Sequence, residues 1–238
     1  MCCRYVLLQE HTKSVLAQLG VLIENAALPS SRYNLSPGAG IPAVRNRPAS
    51  HTRELASLHW GLVPSWTHDR SNPPPVNARA ESLAGKPSFR DAFRSRRCLI
   101  PASGFYEWAV QGRVRKPWLF RLRDERPFAL AGLWETWLAP DGDVLESCAV
   151  VTTAPNALMA PIHHRMPVML AGLADWEAWL DPHVTEPASL MPLLRPFPSE
   201  AMTALAVSPH VNNVRHDDPL CLVPAPEDPQ MGLGLEVF

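Results

Sequence analysis

CLIPASGFYEW, residues 98–108, is apolar for most of its length and is interrupted by Pro101, Ser103 and Gly104. Short apolar runs bounded by turn-forming residues read as strands. Working outward, SLHWGLVPSW (57–66), PWLFRLR (117–123), FALAGLWETW (128–137) and SCAVVTT (147–153) have the same character. Together they predict a largely antiparallel system. The 26 prolines among 238 residues point the same way, because proline is poorly tolerated inside helices and central strands. Short strands, many ordered loops and few long helices are expected.

Helices are expected at the periphery. Residues 12–24 (TKSVLAQLGVLIE) place Val15, Leu16, Leu19 and Leu22 near helical spacing. Thr153-Ala154-Pro155 resembles a helix start, with Pro161 ending that helix and leaving His163 just beyond it. Residues 174–181 (ADWEAWLD) and 186–206 read as helical, the latter interrupted at Pro192 and Pro196. The expected class is α+β, a single domain on a sheet or barrel over residues 1–224, with 225–238 as a poorly ordered tail.

The formal charge of −1 excludes a strongly basic DNA-coating protein but leaves room for a local basic groove. Five scattered cysteines and the lack of a signal-peptide pattern predict reduced thiols in a cytosolic or nuclear compartment. No apolar run approaches the roughly 20 residues of a membrane span. Cys98, Cys148 and Cys221 lie in apolar settings and read as core residues.

Four positions carry candidate chemistry. Cys2 becomes the first residue if Met1 is removed, and then holds an α-amine and a thiol together. That amine has an ordinary pKa of about 7.7–8.0, so much of it is nucleophilic at neutral pH. With an aldehyde it forms an imine, and the adjacent thiol closes on the imine carbon to give a thiazolidine. The same pair also suits amide hydrolysis. Asn77, after three prolines and before Arg79, offers an amide for a sugar hydroxyl beside a guanidinium fork for phosphate; a turn or helix cap is the alternative. Glu107, inside GFYEW, is a candidate general acid/base if buried, or an edge-strand charge if it faces water. His163, in HHRMP, can shuttle protons near neutral pH, or is simply a solvated loop histidine.

Seven segments occur in a telling order: MCCRY at the start, RYNLSPG (32–38), WGLVPSW (60–66), NARAES (77–82), GFYEW (104–108), IHHRMPVML (162–170) and VNNVRHDDP (211–219). Together they resemble the SOS response-associated peptidase family, whose members process abasic sites. The resemblance runs from residue 2 to about 224. It implies a β-barrel-like core and a positively charged groove for single-stranded DNA. It carries the catalytic roles to Cys2, Asn77, Glu107 and His163. It makes Arg4, Arg79 and Arg165 phosphate or sugar contacts, and Trp66 and Trp108 base-stacking or wedge residues. Relatives usually have glycine where this chain has Cys3, which tolerates fewer backbone conformations and adds a second thiol.

The function expected from this reading is capture of abasic sites in single-stranded DNA by a thiazolidine crosslink to Cys2, within the DNA damage response. Loss of Met1, a peptidase-type step, comes first. Slow lyase-like reversal of the crosslink would use Glu107 and His163. Two alternatives stand beside it: a cysteine peptidase of other proteins, and a non-covalent single-strand-binding module. No cofactor is expected. A zinc site from Cys2, Cys3, His163 and His164 lacks the usual ligand spacing. A monomer in the cytoplasm, nucleoid-associated when bound to DNA, completes the expectation.

Overall fold

The structure is a computed structural model, and it describes residues 3–22, 28–47, 50, 52–68 and 72–226. In chain order its elements are β1 (Tyr5–Leu7), α1 (Gln9–Gln18), β2 (Arg32–Leu35), β3 (Gly40–Asn46), β4 (Arg53–Trp60), β5 (Asn77–Arg79), α2 (Arg90–Ser95) and β6 (Arg97–Ala102). There follow β7 (Gly104–Gln111), β8 (Val114–Leu122), β9 (Phe128–Leu138), β10 (Val144–Thr153), β11 (Met166–Pro167), β12 (Met169–Leu170), α3 (Leu173–Leu180), α4 (Pro187–Leu190) and β13 (Met202–Ala206).

The strands β10, β4, β3, β6 and β9 pair in that order, and β9 pairs again with β10 to close a five-stranded barrel. Only the β4–β10 contact of this ring is parallel. A second, wholly antiparallel sheet runs β13-β8-β7-β1-β2. The chain crosses from barrel to second sheet inside CLIPASGFYEW, at Ser103. There the Ser103 N–H donates to Val6 O at 2.8 Å, and its hydroxyl accepts from the Leu8 N–H at 2.9 Å. Gly104 follows because a Cβ would sit 2.9 Å from Leu119 Cδ1 and 3.0 Å from Phe120 O.

The strand sequences are continuously apolar because both of their faces are buried. Cys98, Ile100, Cys148 and Val150 join Tyr5, Trp60, Phe105 and Phe120 in one cluster. Their neighbours Leu99, Ala149 and Val151 face the other way, onto Val15, Leu16, Phe93, Trp176 and Trp179 from the helices. The cross-strand pair Phe105–Phe120 stacks at 5.3 Å between centroids. Each such buried ring contributes about 1.5–3 kcal/mol. Arg97 ties the helices to the barrel by donating to the carbonyls of Phe93, Arg94, Trp179 and Asp181 near the ends of α2 and α3. Burial pulls its pKa down to about 10.

Three expected helices differ. α1 begins at Gln9 and stops before Gly20, whose φ of +66° lies in the left-handed region. Leu22, expected on its apolar face, is exposed. Residues 154–162 make turns and no helix: Asn156 caps one turn, its side chain accepting from the Met159 N–H while its own carbonyl accepts from the Ala160 N–H, but Pro161 has no N–H to supply the next bond. In the region 186–206, only Pro187–Leu190 is α-helical, and 202–206 is the strand β13, paired along β8. From residue 227 onward the expected tail lies outside the described residues.

Candidate active site

Two walls meet at the site. The first is built on the pairing of β1 with β7. Tyr5 is opposite Phe105 and Val6 opposite Gly104, and the Tyr106 N–H donates to Arg4 O at 3.0 Å. Continuing this antiparallel register sets Cys3 against Glu107. Glu107 is only 4% exposed, so the water-facing alternative is wrong. Burial raises its pKa, and the nearby His164 imidazole acts in the opposite direction. The Cys3 thiol is also pushed up by burial and by the Glu107 charge. Cys2 itself lies outside the described residues.

The second wall is built on the end of β10. β5 lies parallel to it, with Asn77 opposite Val150 and Arg79 opposite Thr152. β11 pairs on the other side, with Pro167 opposite Thr152 and Met166 opposite Thr153. Asn77 therefore begins a strand and does not cap a turn. Its Nδ2 donates to Cys3 Sγ at 3.7 Å, which joins the two walls.

His163 lies in the loop three residues before β11. Its Nδ1 lies 3.0 Å from both the N–H and the carbonyl of Arg165, so either tautomer keeps that nitrogen within the loop. Its ring stacks on His164 at 4.4 Å. Burial lowers the pKa of His163, which favours the neutral, proton-accepting form.

The three arginines differ in availability. Arg79 is exposed, and its guanidinium has no ion pair or hydrogen bond among the described residues. Arg165 donates to both carboxylate oxygens of Glu81, at 2.6 and 3.1 Å, and to Thr152 O at 2.6 Å. Its guanidinium thus holds residues 80–82 against β10. Arg4 donates to Asn34 Oδ1 at 2.6 Å and Val211 O at 3.0 Å, and lies 5.6 Å over the Trp108 ring. Trp108 in turn donates to Asn212 Oδ1 at 2.6 Å. Trp66 is 56% exposed and lines a cleft of about 250 Å³ with Leu62, Pro64 and Pro73–Pro75.

Sequence reasoning missed the residues that fix these groups. Asn34 is buried and donates to the carbonyls of Val211, Asn213 and His216 while accepting from Arg4. Asp217 binds Arg32 and the backbone of Tyr33 and Asn34. Both lie in quoted motifs, RYNLSPG and VNNVRHDDP, and these two motifs interlock. Glu81 in NARAES was a similar signal. The site as built offers a buried carboxyl inclined to hold a proton, an amide, a thiol, two stacked imidazoles and one open guanidinium. This set suits proton transfers at a carbonyl or amide carbon.

Residues 1–214 match the family described as SOS response associated peptidase (SRAP). The chain belongs to this family. This SRAP chain is 39% identical over 224 residues to the abasic site processing protein YoqW of Bacillus subtilis, covering 92% of this chain and 97% of that protein. It is 30% identical over 236 residues to the abasic site processing protein HMCES of Gallus gallus, covering 86% and 68% respectively. A crystal structure of a protein from Bacteroides thetaiotaomicron matches the SRAP chain with a TM-score of 0.70 and 29% identity, over 79% of this chain and 82% of that one. Another, from Bordetella bronchiseptica, matches with a TM-score of 0.69 and 26% identity, over 87% and 100%.

Proposed function

We propose that this protein processes abasic sites in single-stranded DNA by forming a covalent crosslink through Cys2. The single observation that carries the reading is the meeting of Asn77 and Glu107 around Cys3, one peptide unit from Cys2. The names of the relatives support the substrate.

Hydrolysis of the Met1–Cys2 peptide bond frees the α-amine. An abasic sugar exchanges between a closed ring and an open aldehyde, and His163 assists opening by proton transfer at the ring oxygen. The amine adds to C1′. Glu107 protonates the departing hydroxyl, so one water leaves and an imine remains. The Cys2 thiol then adds across the C=N bond, its sulfur to carbon and its proton to nitrogen, closing the thiazolidine. Asn77 holds the amino-terminal end and a sugar hydroxyl, and Arg79 takes a flanking phosphate. Glu107 and His163 also serve slow reversal. Residues 1–224 act as the working unit, as a monomer, in the cytoplasm on the nucleoid. No helix among the described residues is long and apolar enough to cross a membrane.

The test mixes the protein with single-stranded DNA containing one abasic site and resolves the products on a denaturing gel. A slow-migrating covalent band is expected from the parent chain and not from Cys2→Ala. A band that persists in Cys2→Ala overturns the reading.

A further inference from the structure

The segment SPHVNNVRHDDPLC, residues 208–221, folds as two short 3₁₀ turns, Pro209–Asn212 and Pro219–Leu222. Their facing sides bring an imidazole, a carboxylate and a thiol together. His210 Nε2, the Asp218 carboxylate and Cys221 Sγ all lie within 4.8 Å of one another. His210 Nε2 is 3.0 Å from Asp218 Oδ2. The Cys221 thiol is fully buried, with the His216 carbonyl 3.5 Å away as its acceptor.

We propose that His210 Nε2, one Asp218 oxygen and Cys221 Sγ bind a single zinc-class divalent ion, with water in the remaining position. Zinc takes nitrogen and oxygen ligands at about 2.0–2.2 Å and thiolate at about 2.3 Å, which sets the donors of a tetrahedron roughly 3.3–3.8 Å apart. The three donors need only contract from 4.8 Å or less to reach that spacing. The mixed nitrogen, oxygen and sulfur set disfavours magnesium and calcium and suits zinc. On binding, the Cys221 S–H proton leaves to solvent and His210 coordinates in its neutral form. The Asp218 side chain is 44% exposed, so water has access to the open position.

The surroundings already orient these donors. His216 stacks on His210 at 3.9 Å, and its Nδ1 lies 2.9 Å from the His210 carbonyl. Asp218 Oδ1 accepts from the Leu220 N–H at 2.9 Å, which fixes the carboxylate at the head of the second turn. The neighbouring Asp217 is occupied with Arg32 and the backbone of β2, so the site uses Asp218. An ion here would staple the turn that carries Val211 and Asn212, the partners of Arg4 and Trp108. The proposal is independent of what the protein does to DNA.

The test uses the full chain, freed of metal with a chelator, and titrated with Zn2+ alone and in parallel with Co2+ alone. The parent chain is expected to bind one ion, to give a thiolate-to-cobalt charge-transfer band, and to melt at a higher temperature with Zn2+. Cys221→Ser is expected to lose the band. Asp218→Asn keeps a capping oxygen and so keeps the turn, but binds Zn2+ at least about tenfold more weakly and loses the thermal shift; His216→Ala weakens binding by about tenfold. Cys3→Ser is expected to bind as the parent does. If Cys221→Ser does not fold, Asp218→Asn decides. No stoichiometric ion on the parent chain, unchanged affinity in Asp218→Asn, or loss of the ion in Cys3→Ser would each overturn the proposal.

Discussion

Arg165 and Arg4 stand on opposite walls of the site, and both have guanidinium groups committed to the protein. Their partners differ. Arg165 holds a carboxylate, Glu81, whose side chain is 57% exposed, together with the Thr152 carbonyl. Arg4 holds a neutral amide and a carbonyl, Asn34 and Val211, drawn from a buried network. The wall at the end of β10 is therefore closed by charge near solvent. The wall along β1 and β7 is closed by amides inside the protein. Exposed ion pairs contribute about 0–1 kcal/mol, whereas a buried polar group left without its partner costs about 1–3 kcal/mol. The β1–β7 wall is the one on which Cys3 and Glu107 are mounted, and it is the more firmly fixed.

The largest expected effect comes from the group that the firm wall presents. Glu107→Gln should slow crosslinking by about 10²–10⁴-fold, measured by the rate at which the covalent band appears. The same variant has a stability signature. Burial holds the folded-state pKa of Glu107 above its unfolded value. Its contribution to stability is thus full below the unfolded pKa and is lost as pH rises through the folded one. Glu107→Gln should gain stability relative to the parent chain across that rise, read from thermal melts at a series of pH values. A variant that tracks the parent at every pH would show that the carboxyl is not held protonated.

Next comes Asn34→Ala. It leaves Arg4 and three carbonyls of residues 211–216 to find new partners, and a loss of about 3 kcal/mol in unfolding free energy is expected. Arg165→Ala should cost less, about 1–2 kcal/mol, because Glu81 can turn to water. The hydrogen bond from Arg165 keeps the Glu81 pKa below its ordinary value. The stability it adds is present above the unfolded pKa and fades as pH falls through the folded one. The gap between parent and Arg165→Ala should therefore narrow in acid, while that for Asn34→Ala has no such carboxylate to lose. Equal costs for the two variants at neutral pH would break the comparison of walls.

The smallest effect belongs to the arginine that neither wall consumes. Arg79→Ala should weaken single-stranded DNA binding evenly across sequences and reduce the slope of log affinity against log salt by about 0.7. Fluorescence anisotropy at several salt concentrations measures this. An unchanged slope would remove Arg79 from the phosphate contacts.

Much of this arrangement was legible in the sequence, and the exceptions have physical causes. The strand runs could be read because both faces of the barrel strands are covered, so their apolar character is unbroken. The strand Met202–Ala206 could not, since MTALA contains a single β-branched residue and pairing with β8 decides its conformation. The helix expected from Thr153 stops after one turn capped by Asn156, because Pro161 comes too early to let it propagate. Asn77 and Glu107 stood out as polar residues in stiff or apolar settings. The commitment of Arg4 and Arg165 did not, because their partners Asn34 and Glu81 are 30 and 84 residues away in sequence. A guanidinium in a motif looks the same whether it awaits a phosphate or already holds a carboxylate.

The central claim is chemical and concerns Cys2. Intact-mass spectrometry of the adduct with abasic single-stranded DNA, followed by mapping of the modified peptide, tests it most directly. The account predicts a mass equal to the chain without Met1 plus the DNA, less one water, with the modification on Cys2. An adduct that retains Met1, or one that maps to Cys3 or to a lysine, would contradict it.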